Sequence, residues 1–387
     1  MYSGTTVFSQ LMQQLPWWRF QTMVNRYRGD YKVKTFRCAE QFRVMAFAQL
    51  TYRESLRDIE SCLRAVSGKL YHLGIHSRVS RNNLSVANET RDWRIYSYFA
   101  QTLIPEAKRL YANEPLLPDL DATVYALDST VIDLCLSLFP WAHFCRTKGA
   151  VKMHTLLNLA GNIPEYILIT DGKRSDASAL DHILPVPGAY YVMDRGYLDF
   201  KRLYLLHSLK AYFVTRARSN LQFQRIYSHP SERDCGILCD QTIFLTGVQT
   251  ARYYPKYLRR IKYRDQENRT LVFLTNDFSL PPVTVAELFK GRWNIEIFFK
   301  WIKQNLRIKS FYGTSLNAVQ TQIWIGITVY LLIAIIKKRL KIEASLYNIL
   351  QVLSVSLFEK IPILQAFQQA DTSLKTLSPP NQLMLWN

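Results

Sequence analysis

The run TVYALDST (Thr123–Thr130) is short, rich in β-branched and aromatic residues, and carries an aspartate, Asp128, at its end. The two prolines of NEPLLPDLD (113–121) precede it, so it reads as the first strand after a boundary. VKMHTLLNL (151–159) and IPEYILITD (163–171) follow as two more strands, joined by AGN as a hairpin-like connection. DASALDHIL is helical in pattern. AYYVMDRG (189–196) is a fourth strand ending in a second aspartate, Asp194, and the helix LDFKRLYLLHSLK and the strand AYFVTRARS come next. The order is β-β-β-α-β-α-β, an α/β core. Working outward, residues 1 to about 112 read as helices, about 219–282 as a β-rich insertion, and 315–367 as helices again. The expected division is 1–118, 119–312 and 313–387.

Hydrophobic residues make up 48% of the 387 and charged residues 20%, which excludes a disordered chain. Lys and Arg outnumber Asp and Glu by 49 to 30, a net charge of +19 that points to a polyanionic partner, nucleic acid first. The first twenty residues lack a basic start followed by an apolar stretch, so no leader is expected. IWIGITVYLLIAII (Ile323–Ile336) falls short of a span and is expected to be a buried helix rather than a membrane segment. Six cysteines form no disulfide framework, which fits a reducing bacterial cytoplasm. Cys235 and Cys239 lack a second ligand pair. Ser80 is the expected N-cap of RNNLSVANETR, the second half of a helix-turn-helix-like unit after SLRDIESCL.

ELFKGRWNIEIFFKWIKQNL (Glu287–Leu306) reads as one basic helix with Glu296 near its centre. At about 100° per residue, Phe289, Arg292, Lys300 and Lys303 fall on the Glu296 face, beside an apolar stripe of Leu288, Ile295, Phe299, Ile302 and Leu306. Two strand-end aspartates and one helix glutamate converging in space would repel one another. Hard divalent cations relieve such repulsion and leave positions for phosphate oxygens. Lys152 and His154 share one strand face and are expected beside Asp128. ARYYPKYLRRIKYRDQENRT (251–270) mixes cations with tyrosines, a pattern suited to DNA contact.

The strand order with Asp128, Asp194 and Glu296 in these places resembles the ribonuclease-H-like catalytic core. DRGY (Asp194–Tyr197) and the spaced set Phe289, Arg292, Glu296 and Lys303 resemble the DDE transposases, in particular the family-four insertion-sequence branch with its Y-R-E-K signature. Phe289 stands where the signature has tyrosine, which removes a hydroxyl contact to phosphate. The resemblance implies that Asp128, Asp194 and Glu296 hold two Mg²⁺ ions, with Mn²⁺ able to substitute. It implies DNA contacts from Arg292, Lys303, Phe289, Arg195, Tyr197 and Lys300, an N-terminal helical DNA-binding domain, and a homodimer on paired terminal inverted repeats. Two other readings fit the same residues: a ribonuclease-H-like nuclease without strand transfer, and an inactive DNA-binding relative.

Overall fold

A computed structural model of the chain describes residues 4–114, 116–117, 119–142, 149–230, 235–305 and 311–367. The chain divides into two compact units, one of residues 1–110 with 301–387 and one of 111–300.

The first unit is helical: α1 (Val7–Gln13), α2 (Trp17–Arg26), α3 (Cys38–Leu50), α4 (Leu56–Ala65), α5 (Arg81–Thr90) and α6 (Arg94–Tyr111). Ser55 and Ser80 cap α4 and α5 by accepting from the backbone N–H groups of Asp58 and Asn83, as expected for Ser80. Between these two helices lies a 3-10 helix, Ser67–Leu73, so the connection is longer than a tight turn. The apolar run at 323–336 belongs to a longer helix, Leu316–Arg339, that is buried from Ala318 to Ile336 on all sides. It is long and apolar enough to cross a membrane, yet its whole apolar window is enclosed by the chain, as in a core helix. Ser315 caps its start, and Lys337, Lys338 and Arg339 complement the dipole at its end. A last helix spans Leu346–Ser356.

The second unit is built on a nine-stranded sheet. Its strands are β1 (Val124–Leu134), β2 (Gly149–Asn158), β3 (Ile163–Asp171), β4 (Tyr190–Met193), β5 (Tyr212–Arg216), β6 (Phe223–His229), β7 (Ile237–Leu245), β8 (Leu258–Arg264) and β9 (Thr270–Thr275). They lie in the order β3-β2-β1-β4-β5-β9-β8-β7-β6. β1 to β3 form an antiparallel meander, while β1, β4 and β5 run parallel. The segment read as an insertion continues this sheet as antiparallel strands through β9.

Side chains alternate between the faces of a strand. On one face Tyr125, Leu127, Tyr191, Met193 and Phe213 bury against Leu203 and Leu206 of α7 (Phe200–Ser208) and a 3-10 helix, Asp176–His182. A short α8 (Val248–Tyr253) links β7 to β8. On the other face, α9 (Pro282–Gly291) packs with Phe289 against Phe273, ring centroids 4.9 Å apart.

Candidate active site

In the parallel pair β1/β4, Leu127 stands opposite Met193, so Asp128 and Asp194 are the next residues along on neighbouring strands. Such strands lie about 4.8 Å apart. Met193 in turn pairs with Thr215, which puts Arg216 of β5 beside Asp194, its guanidinium 3.9 Å from Oδ1. The order of strands thus writes Asp128, Asp194 and Arg216 into one row across the sheet, on the face that α9 covers.

The predicted continuous helix is broken. α9 ends at Gly291, and α10 (Trp293–Asn305) begins after Arg292, which sits in a tight turn closed by bonds three residues apart. At this turn, Arg292 does not face outward for a partner. It donates to Asp128 Oδ2 at 2.8 Å and to Glu296 Oε1 at 2.7 Å, and its guanidinium carbon lies 5.5 Å from the Phe289 ring centre. Arg292 therefore ties the strand carboxylate to the helix carboxylate. Of the expected apolar stripe, Leu288, Ile295, Phe299 and Ile302 are buried, while Leu306 lies outside the described residues.

Burial pushes the Asp128 carboxyl up to about 6. The Ser129 N–H at 2.8 Å and the Arg292 charge pull it down, and the nearby charges of Asp194 and Glu296 push it up again. All three carboxylates thus share one field. Asp194 Oδ1 is buried without a hydrogen-bond partner.

DRGY is a single 3-10 turn, Arg195–Tyr197, whose Tyr197 N–H bonds back to the Asp194 carbonyl at 3.0 Å. The turn exposes Arg195 and buries Tyr197, whose hydroxyl is held well above its usual range by desolvation and by Asp128 and Asp176. Phe289 is 9% exposed and packs, Lys300 is exposed, and Lys303 is half-buried further along α10.

Lys152 and His154 are not beside Asp128. His154 pairs across from Ser129, and Lys152 from Val131, so strand alternation turns both to the opposite face. There they surround Asp176: Lys152 Nζ is 3.2 Å from Asp176 Oδ1, and Ser129 Oγ donates to the same oxygen at 2.6 Å. Sequence reasoning missed Asp176, the first residue of the 3-10 helix Asp176–His182, and Arg216, whose place in the row depends on strand pairing. Of the basic segment 251–270, Arg259 is internal, bound to Asp240 through both Nε and Nη2, while Tyr253 and Tyr257 are exposed.

The family model for the transposase DDE domain matches residues 119–332, more than half the chain and all of these carboxylates. The chain belongs to that family. A second match, to a domain of unknown function, covers residues 3–76. The putative transposase y4zB of Sinorhizobium fredii is 32% identical over 62% of this chain and 68% of its own length. The probable transposase for insertion sequence element IS5377 of Geobacillus stearothermophilus is 27% identical over 54% of this chain and 55% of its own. A putative transposase for insertion sequence element IS4SA of Synechocystis is 23% identical over 73% and 79%.

Membership in the DDE transposases carries a transposition function, DNA binding and, in general, use of divalent metal ions. Among the described residues no three ligating side chains already stand as a metal-ready cluster. The donor chemistry nevertheless fits a hard divalent cation: carboxylate oxygens only, mutually repelling, with one buried oxygen that accepts no hydrogen bond. In this transposase, Arg292 supplies positive charge between Asp128 and Glu296.

Proposed function

We propose that this DDE transposase is a cut-and-paste enzyme of the family-four insertion-sequence type, with a ribonuclease-H-like core. Asp128, Asp194 and Glu296 would hold two Mg²⁺ ions, with Mn²⁺ as a substitute. The observation that supports this most is the placing of Asp128 beside Asp194 on parallel strands, joined to Glu296 through Arg292. The chemistry supplied by bound divalent ions is neutralisation of the scissile phosphate and stabilisation of the attacking and leaving oxygens.

The chain's own residues do the rest. Asp128, ionised above about pH 6, presents its charge from the strong, central part of the sheet. Arg292 turns from the carboxylates to a phosphate oxygen when its place between them is taken. Phe289 packs beneath that guanidinium and holds it at the sheet face. Arg195 and Lys300, both exposed, meet the DNA backbone together with Lys303, and buried Tyr197 anchors the turn that aims Asp194. The substrates are the element's terminal inverted repeats and target DNA. Hydrolysis frees a 3′ hydroxyl, which then attacks a target phosphodiester and displaces its 3′ oxygen. A homodimer pairs the two ends, the exposed side of the helix Leu346–Ser356 in 313–387 supplying the contact and the helices of 1–118 the DNA grip.

The test uses a labelled duplex bearing one element end, with the products followed by gel. Wild-type chain should nick the end and join it to a target plasmid in Mg²⁺ or Mn²⁺. Glu296→Gln should bind and not cut at any protein concentration. Lys303→Ala should cut poorly and recover as concentration rises. Cutting without joining by the wild type would make it a nuclease and overturn the proposal.

A further inference from the structure

The helical unit holds a second built surface, separate from the carboxylates. α5 turns Leu84, Ala87 and Asn88 inward, where Gln41 Nε2 donates to Asn88 Oδ1 at 2.7 Å. Its outward positions Asn82, Asn83, Val86 and Thr90 form one wall of a cleft of about 630 Å³. The other wall comes from the segment Tyr27–Phe36, including Arg28, Tyr31 and Lys34.

That second wall is strained and fixed. Arg28, Lys32 and Phe36 have φ of 52°, 57° and 36°, a left-handed region that residues with a side chain rarely adopt. Three anchors hold it there. Cys38 N–H donates to Asp30 Oδ1 at 2.7 Å, Phe36 N–H donates to Ser77 Oγ at 2.8 Å, and the Arg91 guanidinium donates to the Phe36 carbonyl. The result is a rigid display of exposed Arg28, Lys32, Lys34 and Arg37, with one intervening acid, Asp30, already engaged by backbone. Strain kept at a cationic, exposed turn is the pattern of a surface shaped for a partner.

We propose that this surface reads duplex DNA, with α5 in the major groove and the 28–37 turn on the adjoining phosphates. The inference rests on the transposase reading above and names where the element end is recognised. Asparagine amides match the donor–acceptor edge of adenine, and the methyl groups of Val86 and Thr90 match that of thymine. The cations take the phosphates flanking the groove. A lipid surface or an acidic peptide would have use for the charges and none for the two amides.

The experiment measures fluorescence anisotropy of the full chain with three labelled probes: the element-end duplex, a scrambled duplex of equal composition, and the single strand of the end. Asn82→Ala and Val86→Ala should cut discrimination between end and scrambled duplex by about tenfold each. Lys32→Ala and Lys34→Ala should weaken both duplexes alike and flatten the salt slope by about one apiece. All four positions point away from the core, and a thermal melt checks that each variant is folded. A wild-type preference for the end that survives all four substitutions overturns this surface and leaves the transposase reading intact. Single strand bound as tightly as duplex also overturns it. A wild type with no preference for the end overturns the transposase reading, and this inference with it.

Discussion

Each unit contains carboxylates withdrawn from water, and the two sets are treated in opposite ways. In the helical unit, burial would raise the Glu40 carboxyl, but the Ser77 hydroxyl and the N–H groups of His76, Ser77 and Arg37 more than offset it and hold it below the usual range. In the sheet unit, Asp128 has one N–H donor and one arginine, and it is pushed up to about 6. Asp194 keeps a buried oxygen with no hydrogen-bond donor at all. A carboxylate surrounded by N–H groups has its charge satisfied by the fold and acts as a structural fastener. Carboxylates that are crowded together and short of donors are left needing positive charge, and that need is what a substrate-dependent cation can meet.

The comparison breaks first at chemistry. Asp194→Asn should lower end cleavage about a thousandfold or more in a gel assay while leaving folding stability nearly unchanged. Glu40→Ala should do the reverse: with its N–H partners orphaned, a denaturant melt should lose about 3 kcal/mol. Full cleavage by the first variant, or an unchanged melt for the second, would erase the distinction.

Acid sharpens it, because the signs are opposite. The folded Asp128 carboxyl lies at about 6, above the unfolded carboxylate at about 3.9, so ionising it costs stability as pH rises between those values. In chelator, Asp128→Asn should therefore gain on the wild type across that window, by about 2 kcal/mol after allowance for partial exposure, and stay level above it. Glu40 is depressed, so its stabilisation is present above about 4.3 and is lost as pH falls through its folded value. Melts of wild type, Asp128→Asn and Glu40→Gln at stepped pH separate the two trends. The smallest effect is at the α5 cap: Ser80→Ala should cost about 1 kcal/mol by the same melt.

Asp194 was legible as a strand end, a local pattern, but Asp128 lies inside its strand: β1 runs on to Leu134 because its pairing with β2 continues past the apolar run, and that pairing cannot be read from β1 alone. Ser80 was legible, since capping chemistry spans only three residues. The break at Arg292 was not, because helical periodicity passes smoothly through a single tightened turn. Nor was Arg292's engagement with Asp128, a residue 164 positions away in the chain. Lys152 and His154 were placed on the wrong face because facing depends on which residue of β1 each opposes, and register is invisible in one strand alone. Asp176 escaped for a related reason: its partners, Ser129 and Lys152, come together only once β1 and β2 pair.

The place of the aspartates in the sheet has a consequence for how the protein fails. β1 and β4 have β3 and β2 on one side and five strands on the other. Backbone amides there exchange with water only when the sheet itself opens, so they should be among the slowest in the molecule. Glu296 is carried instead on a helix that starts at an irregular turn, which can loosen without disturbing a strand. Under heat or denaturant the glutamate should leave the aspartates before the aspartates leave each other. A partly opened molecule would then retain its grip on DNA and lose its cutting centre, so that damage to the enzyme disarms it before it unfolds.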